Sequence, residues 1–547
     1  MLRKKRFWFI AAFLFLSLFL VACNGDDDDG AEDDNGAAAD VVEEDDDDDD
    51  EPEVVEEDDD DGDVAEAGAA DEFRIAIAGN IGSRDPHGSN DMPSAQVNTH
   101  VFGRLVEQDI NLDIQPAIAE SWEQIDDRVW EFNLREGIAF HNGDPLTAHD
   151  VAFTMERAAD AGHIAPILGM IDPDTVEVID DYTIRIGTEE PFAPFLAHLA
   201  HPAASILSEA AVGDTSPEDT TPEQLVGSGP YQIYEFVEDT RIILERWEDY
   251  HGPSHNIRII YMPIIVDPPA RLAALETGAV DAMLSPAPAD ISRVLDDPNI
   301  YTIEEQSLAI EYMGMDLNHE YLSIPEVRQA INYALNTEVI VDVSTEGTAT
   351  LLTNFIPSNV FGYDPNIEGY PYDLERAQEL MAEAGVDGFD IELITNQGNV
   401  IRLAAAEIIQ NQLAEININV SIQQLEWGAY LEALDTTDFD VFMAGWVSVT
   451  GDADYGLYPL FHSAYHPESN RVGLASPELD AILEAARSTT VESERLELYT
   501  EAQEYLHTAA PWVRLGNANL YVPTALNVNG LVVMPHQSHW FADVYFD

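Results

Sequence analysis

One stretch of this chain cannot fold, and it sets where folding begins. From residue 24 to about 72 the sequence is mostly Asp, Glu, Ala and Gly, with no Lys or Arg, and Asp45 to Asp50 are six consecutive aspartates. Such a segment has too little apolar surface to bury, and its charges repel one another. It reads as an extended, solvated tether; fully stretched, its 49 residues reach roughly 160 Å. A calcium-binding tail is the sharper reading, but no glycine-punctuated ligand loop repeats here, and a spacer fits better. The folded body therefore starts near Phe73. It stays acidic, with 77 Asp and Glu against 19 Arg and no Lys after Lys5. The net charge of -82 for the whole chain excludes a nucleic-acid binder. A surface this rich in carboxylates repels itself in dilute buffer and is screened by salt, which points to a salt-loving or alkaline habitat. Hydrophobic residues still make up 46% of the 547, enough for a real core in about three domains.

The N-terminus reads as an address. Arg3, Lys4, Lys5 and Arg6 precede an apolar stretch from Phe7 to Ala22 that is broken only by Ser17. The stretch is short for a membrane span, and basic cluster plus short apolar run is the pattern of a secretory signal. It is the only long apolar run, so a polytopic membrane protein is excluded. It ends Leu20-Val21-Ala22-Cys23, which resembles a bacterial lipobox with Cys23 as the lipidated mature N-terminus. Cys23 is the single cysteine, so neither a disulfide framework nor a multi-cysteine metal site is available. The expected layout is a signal at 1–22, a lipidated Cys23 with its acidic tether over 23–72, and a body over 73–547. The protein is expected at the outer face of the membrane or in the periplasm.

Within the body, strand-like and helical patterns alternate. Apolar β-rich runs cover Phe73–Ala78, Ile257–Val266, Phe389–Thr395, Ile418–Leu425 and Phe439–Ala444. Asp373 is placed to cap a helix through Ala377, Leu380 and Met381, with Gly385 ending it. Ser476-Pro477 opens another through Leu479, Ile482, Leu483 and Ala486. A third runs through Leu496, Tyr499, Ala502 and Leu506 until Pro511. Thr147 with Asp150 forms a variant capping box ahead of Val151 and Met155. The alternation predicts α/β lobes with largely buried sheets.

Enzyme signatures are missing. The chain has no nucleophile elbow, no H-E-x-x-H, no P-loop and no dinucleotide fingerprint. Gly227-Ser228-Gly229-Pro230 leads into a β-like run and reads as a turn. His198 and His201 stand three apart, but Pro202 follows and no carboxylate is near in sequence, so no metal and no cofactor are expected. A secreted carboxylate-based hydrolase remains the alternative of another class, because spacing cannot exclude paired carboxylates in so acidic a chain. What stands out is aromatic and acidic residues at strand ends. Residues 438–446 (DFDVFMAGW) run to Trp446, with Asp452 and Asp454 in the next loop, and residues 425–430 (LEWGAY) place Trp427 after a second strand. Ligands of open α/β sheets bind beyond the carboxyl ends of strands. Trp supplies apolar contact there, and a carboxylate pairs with an amine. The plainer reading makes the Trp core residues and the Asp helix caps or surface charge.

Several blocks together strongly resemble the family 5 extracellular solute-binding proteins. They are residues 101–105 (VFGRL), 115–123 (QPAIAESWE), 130–143 (WEFNLREGIAFHNG), 146–151 (LTAHDV), 227–231 (GSGPY) and 327–334 (VRQAINYA). The resemblance covers residue 73 to the C-terminus. It implies a non-enzymatic receptor of an ABC importer with a two-lobed, type II periplasmic-binding-protein-like α/β fold. It implies a first lobe from about 73–103, 226–305 and 510–547, a subdomain of about 104–225 upon it, and a second lobe of about 306–509. Two crossing strands form the hinge of a clamp. Peptide-binding members hold the ligand ammonium with an Asp after the Gly-Trp pair, a role that falls here to Asp452 or Asp454, with Asp452 favoured. The resemblance places Trp427 and Trp446 against the ligand, and the loop Ser89–Pro93, with Asn90, Asp91 and Met92, on its backbone. Some dipeptide receptors bind the ligand carboxylate with an Arg ahead of the helix that begins near Arg402. Here Asn396 stands at about that point and Arg402 further along, which departs from the dipeptide pattern. Residues 445–463 look closer to glutathione receptors. The implied partners are glutathione or a short peptide and the permease subunits, with a nickel-chelate or oligosaccharide receptor as the alternative within the family.

Overall fold

The structure, a computed structural model, describes residues 71–89 and 91–547. The signal, Cys23, the acidic segment up to residue 70 and Asn90 lie outside the described residues. Eleven strands form one large sheet. Along the chain they are β1 (Glu72–Ala76), β2 (Tyr231–Val237), β3 (Arg241–Arg246), β4 (Ile259–Pro263), β5 (Ala282–Met283) and β6 (Ile300–Met315). There follow β7 (Ala349–Leu351), β8 (Phe389–Asn396), β9 (Ile418–Leu425), β10 (Val441–Val447) and β11 (Trp512–Ala525). Their order across the sheet is β9-β8-β10-β6-β11-β5-β1-β4-β3-β2, with β7 also paired to β11.

The long strands β6 and β11 run antiparallel through both lobes. At one end they join β8, β9 and β10; at the other they join β5 and β1. Their ladder is irregular between Gln306 and Tyr312. There the buried Asn517 side chain substitutes for backbone pairing, donating to the carbonyls of Ser307 (2.9 Å) and Ala309 (2.6 Å). The side-chain amide thereby satisfies backbone acceptors that the break leaves without a ladder partner.

Buried apolar side chains divide accordingly. Phe73, Phe102, Tyr231, Ile260 and Phe541 pack in one core; Ile310, Tyr312, Phe442, Leu479 and Trp512 in a second; Met313, Val327, Leu393 and Ile409 in a third on the other face of the same strands. A further core holds Phe132, Val151, Met155, Ile184 and Phe195. It belongs to a subdomain with its own four-stranded sheet, ordered Ala119–Gln124, Val129–Leu134, Thr183–Gly187 and Glu177–Asp180. The first core joins chain ends. Gln96 exchanges two hydrogen bonds with the His539 backbone (2.7 and 2.8 Å), which ties the helix Met92–Val101 to the C-terminal segment.

Local signals set many element ends. Asp150 accepts from the Thr147 N–H at 2.9 Å at the start of the helix Ala148–Ala159. Asp373 and Ser476 cap the helices Leu374–Glu383 and Pro477–Ser488 through the amides of Arg376 and Leu479. Gly385 follows the first of these at φ +70, where a Cβ is disfavoured. The turn before β2 packs its backbone on the C-terminal end of the helix Met92–Val101, with the Gly229 N–H donating to the Val101 carbonyl at 2.9 Å. A Cβ on Gly227 would collide with that carbonyl oxygen. Gly227→Ala should therefore cost about 1–3 kcal/mol or more, by overpacking. Gly79→Ala, where a Cβ meets nothing within 4 Å, should be close to neutral in the same urea melts. Equal stabilities for the two variants would show that the turn yields.

Candidate functional site

Strands β8, β9 and β10 lie parallel and end along one edge at Asn396, Leu425 and Val447. The segments that leave this edge carry most of the residues singled out in the sequence. After β8, Asn399 caps the helix Val400–Leu413 by accepting from the Arg402 N–H at 3.0 Å. That cap places Arg402 in the first turn, over the sheet. Its Nε and Nη2 donate to the two oxygens of Glu311 on β6 at 2.8 and 2.9 Å, and Nη1 donates to Asn396 Oδ1 at 2.9 Å. Burial would lower the guanidinium's pKa, but the Glu311 charge outweighs it and the pKa is raised. The pair lies flat on Gly445. A Cβ there would sit 2.6 Å from Glu311 Oε1 and 3.0 Å from Arg402 Nη2. The glycine before Trp446 thus makes room for the ion pair.

Glu311 and Arg402 line a cavity of about 250 Å³ between the lobes. β11 contributes Gly516 to its wall, the helix Thr337–Ser344 contributes Ile340 and Val341, and the other lobe contributes Pro286 and Ile291. The rest of the lining mixes aliphatic side chains with polar ones, among them Ser285, Ser344, Thr345, Asn399, Asn519 and Tyr521.

The loop after β10 differs from the arrangement that an ammonium site there requires. Asp452 and Asp454 are both buried, and each already has an arginine of this chain. Arg495 Nη2 donates to both oxygens of Asp452 at 2.8 and 3.0 Å, and the Tyr499 hydroxyl donates to Oδ1 at 3.2 Å. Burial pushes the Asp452 carboxyl up, and Arg495 offsets only part of that. Arg487 clasps Asp454 through Nε and Nη2 at 2.9 and 2.8 Å and lies over the Tyr458 ring. Asp452 also caps the helix Ala453–Phe461 by accepting from the Asp454 N–H. These carboxylates brace the loop from within; of the two, only Asp452 is the helix cap that the plainer reading of the sequence expects. Asp452 in addition touches a second, polar cavity of about 600 Å³ against the subdomain.

Trp446 is half-buried rather than exposed. Its indole N–H donates to the Tyr455 carbonyl at 2.8 Å, and its ring packs against two cores. Trp427 begins the helix Trp427–Thr436 and is 55% exposed, stacked on Tyr430. Asp91 caps the helix Met92–Val101, accepting from Ser94 N–H (2.9 Å) and hydroxyl (2.7 Å), and Met92 is that helix's first residue. The structure thus brings together Arg402, Asn396 and the Gly445–Trp446 pair at one strand edge, and Asp452, Asp454 and Trp446 around Tyr455. Asp91 and Met92 belong to the other lobe. His198 and His201 use their Nδ1 atoms on the Ile167 carbonyl and the Ala203 amide. Among the described residues no group of three His, Cys, Asp or Glu is placed to hold a metal. No described helix is long and apolar enough to cross a membrane. Glu311, Arg487 and Arg495 escaped the sequence reading. For Glu311 a signal exists, since it is the lone charge in the run Leu308–Met315.

The sequence profile of bacterial extracellular solute-binding proteins, family 5 (middle), matches residues 113–467. This chain is a family 5 solute-binding protein. The family 5 chain is 31% identical over 474 residues to a dipeptide-binding protein of Escherichia coli, covering 81% of this chain and 88% of the relative. It is 28% identical over 488 residues to a glutathione-binding protein of Pectobacterium atrosepticum, covering 87% and 94%. Among solved structures, the periplasmic binding protein DppA of Helicobacter pylori, in complex with the peptide STSA, superimposes with a TM-score of 0.74. That match is 30% identical and covers 87% of this family 5 protein and 98% of the other chain. The two-lobed type II architecture read from the sequence is that of the fold.

Proposed function

We propose that this protein is the substrate-binding receptor of an ABC importer, capturing a short peptide or glutathione and handing it to the permease. In this reading Cys23 carries the lipid that holds the receptor at the outer face of the membrane, and the acidic segment is its tether. The lobes close on the ligand and no bond is made or broken. The supporting observation is the cavity between the lobes, with aliphatic and polar walls and one anionic and one cationic side chain. Apolar surface takes side chains, and a few polar groups fix orientation. Charge pairs strengthen as closure removes water. The cavity is of a size for a ligand of a few residues rather than a long peptide.

Native mass spectrometry of the protein, purified without refolding, tests this reading. A bound mass matching glutathione or a di- or tripeptide is expected. Protein that arrives empty should gain thermal stability when glutathione or short peptides are added, by the mass-action term that any native-state ligand contributes. A bound metal chelate or sugar would transfer the ligand assignment to the other members of the class. Hydrolysis of an added peptide or glycoside would remove the protein from the receptors altogether.

A further inference from the structure

A short antiparallel hairpin, Val106–Gln108 with Ile114–Pro116, opens the subdomain. Its turn is strained. Leu112 sits at φ +66, and among the described non-glycine residues at positive φ it alone carries a large apolar side chain. Left-handed backbone is disfavoured for a leucine, so its surroundings must hold it there. Asp109 does part of this, accepting from the N–H groups of Asn111 at 2.9 Å and Asp113 at 3.1 Å. The rest comes from across a seam. Leu112 packs on the second core, at the Gly451 turn in the loop after β10. A Cβ on Gly451, itself at φ +69, would meet Leu112 Cδ1 at 2.8 Å. Beside it, Gln108 Nε2 donates to the Thr450 carbonyl at 2.8 Å. Further along the seam Tyr455 is buried among subdomain residues, and the Ala193 N–H donates to the Arg487 carbonyl at 2.7 Å.

The two sides of this seam belong to different parts of the clamp. The chain enters the subdomain from the helix Met92–Val101 and leaves it into β2, and both pack in the first core. Phe153, Leu207 and Val212 of the subdomain pack there as well, and Arg157 binds Asp85 through two bonds of 3.0 and 2.6 Å. The subdomain is therefore carried by the first lobe, whereas the loop after β10 is carried by the second. The polar cavity of about 600 Å³ lies in the seam, with Gln108 and Leu112 on one side and Gly451 and Asp452 on the other. A seam with that much open space rests on few contacts and parts more readily than a packed core. We infer that the hairpin is a clasp on the closed clamp. Leu112 seats against Gly451 and Gln108 takes the Thr450 carbonyl once the lobes meet, and the two contacts slow reopening. This rests on the proposed receptor function and adds to it a lock that touches no ligand, because neither Gln108 nor Leu112 lines the cavity between the lobes. The strain at Leu112 is offset while the clasp is seated, which keeps it reversible.

The test uses the full chain, with di- and tripeptides and glutathione as probes. Association and release rates are read by stopped-flow tryptophan fluorescence. Leu112→Gly suits the left-handed backbone and removes only the side chain. Release should speed up roughly tenfold, the effect of losing one buried leucine contact from the closed state alone. Association should hardly change, because the clasp seats after the ligand has arrived. Gln108→Ala leaves Leu112 in place, should speed release in the same direction, and serves if Leu112→Gly does not fold. Release that is unchanged in both variants, with only a lower urea midpoint, would reduce the clasp to ordinary packing and overturn this inference alone. Slower association with unchanged release would do the same, since the contact would then precede closure. A wild type that binds none of the probes overturns the peptide reading and this inference with it.

Discussion

Lowering the pH from 7 to 4 should unfold this protein. The reason lies in four histidines, His536 half-buried and the other three buried, where the helix Met92–Val101 and the Pro202–Ala204 turn meet the C-terminal segment. The Phe541 N–H donates to His100 Nε2 at 2.9 Å, and the Met534 N–H to His539 Nδ1 at 3.1 Å. His201 and His536 accept in the same way from Ala203 at 3.1 Å and Ser538 at 3.2 Å. A ring nitrogen that accepts a backbone N–H cannot carry its own proton, so all four rings are held neutral. Burial pushes His100 and His536 down to about 4 and His201 and His539 down to about 3. Arg104 or a neighbouring histidine adds to the effect at each.

The unfolded chain binds these protons near pH 6.5, and the folded chain does not. The histidine contribution to stability is therefore complete above about pH 6.5 and is lost as the pH falls towards the folded values. Each buried ring contributes on the order of 3 kcal/mol across that window. Even a third of that from each of four approaches the lower end of the roughly 5–15 kcal/mol that holds a whole domain. Tryptophan fluorescence and near-UV circular dichroism should lose their native signals between about pH 6 and 4. Native signals that persist at pH 4 would falsify the assignment of these rings as neutral acceptors.

Arg495→Met should be the most damaging single change in the second lobe. Arg495 is buried, holds Asp452, and donates to the Tyr499 hydroxyl at 2.9 Å and the Ala486 carbonyl at 3.1 Å. Its guanidinium also lies over the Phe361 ring. The Met variant leaves Asp452 buried without its arginine, and the expected loss is about 3–5 kcal/mol. Asp452→Asn on top of Arg495→Met should recover part of it, because the remaining amide carries no charge. Urea titrations of the single and double variants measure this directly. Asp452→Asn alone also decides between two roles. Lost stability with ligand affinity kept in the folded fraction marks Asp452 as a brace. Unchanged stability with lost affinity would return it to the ligand ammonium.

The parts of the fold written in local sequence were legible. Ile418–Leu425 is an eight-residue strand with the bounds its apolar pattern implies. Asp373, Ser476 and Thr147 cap helices because a short side chain needs only its own next turn to do so. Phe439–Ala444 was less well bounded. The observed strand runs Val441–Val447, because pairing starts where Val441 meets Met315 and continues as long as β6 lies alongside. The two longest strands, β6 and β11, carry no alternating pattern that marks them in the sequence. Their polar and apolar residues follow lobe boundaries and a mid-strand break rather than one alternating face.

The site divides the same way. Trp446 stands out in a strand-end block and Arg402 through the family resemblance, and the structure places them beside the ends of β10 and β8. Glu311 lies 91 residues from Arg402, and Asp452 and Asp454 lie 43 and 33 residues from the arginines that hold them. With 105 acidic residues and 23 basic ones in the chain, no spacing rule could match these partners.

Sequence by itself determined where the chain can fold, which segments become capped helices and buried strands, and to which family the body belongs. Each of those depends on composition or on contacts within a turn. Which carboxylate pairs with which arginine, and which of these pairs line a cavity, was decided only by tertiary structure. Two charges far apart in sequence are paired or left open by how the intervening elements pack, and burial then multiplies the difference between the two outcomes.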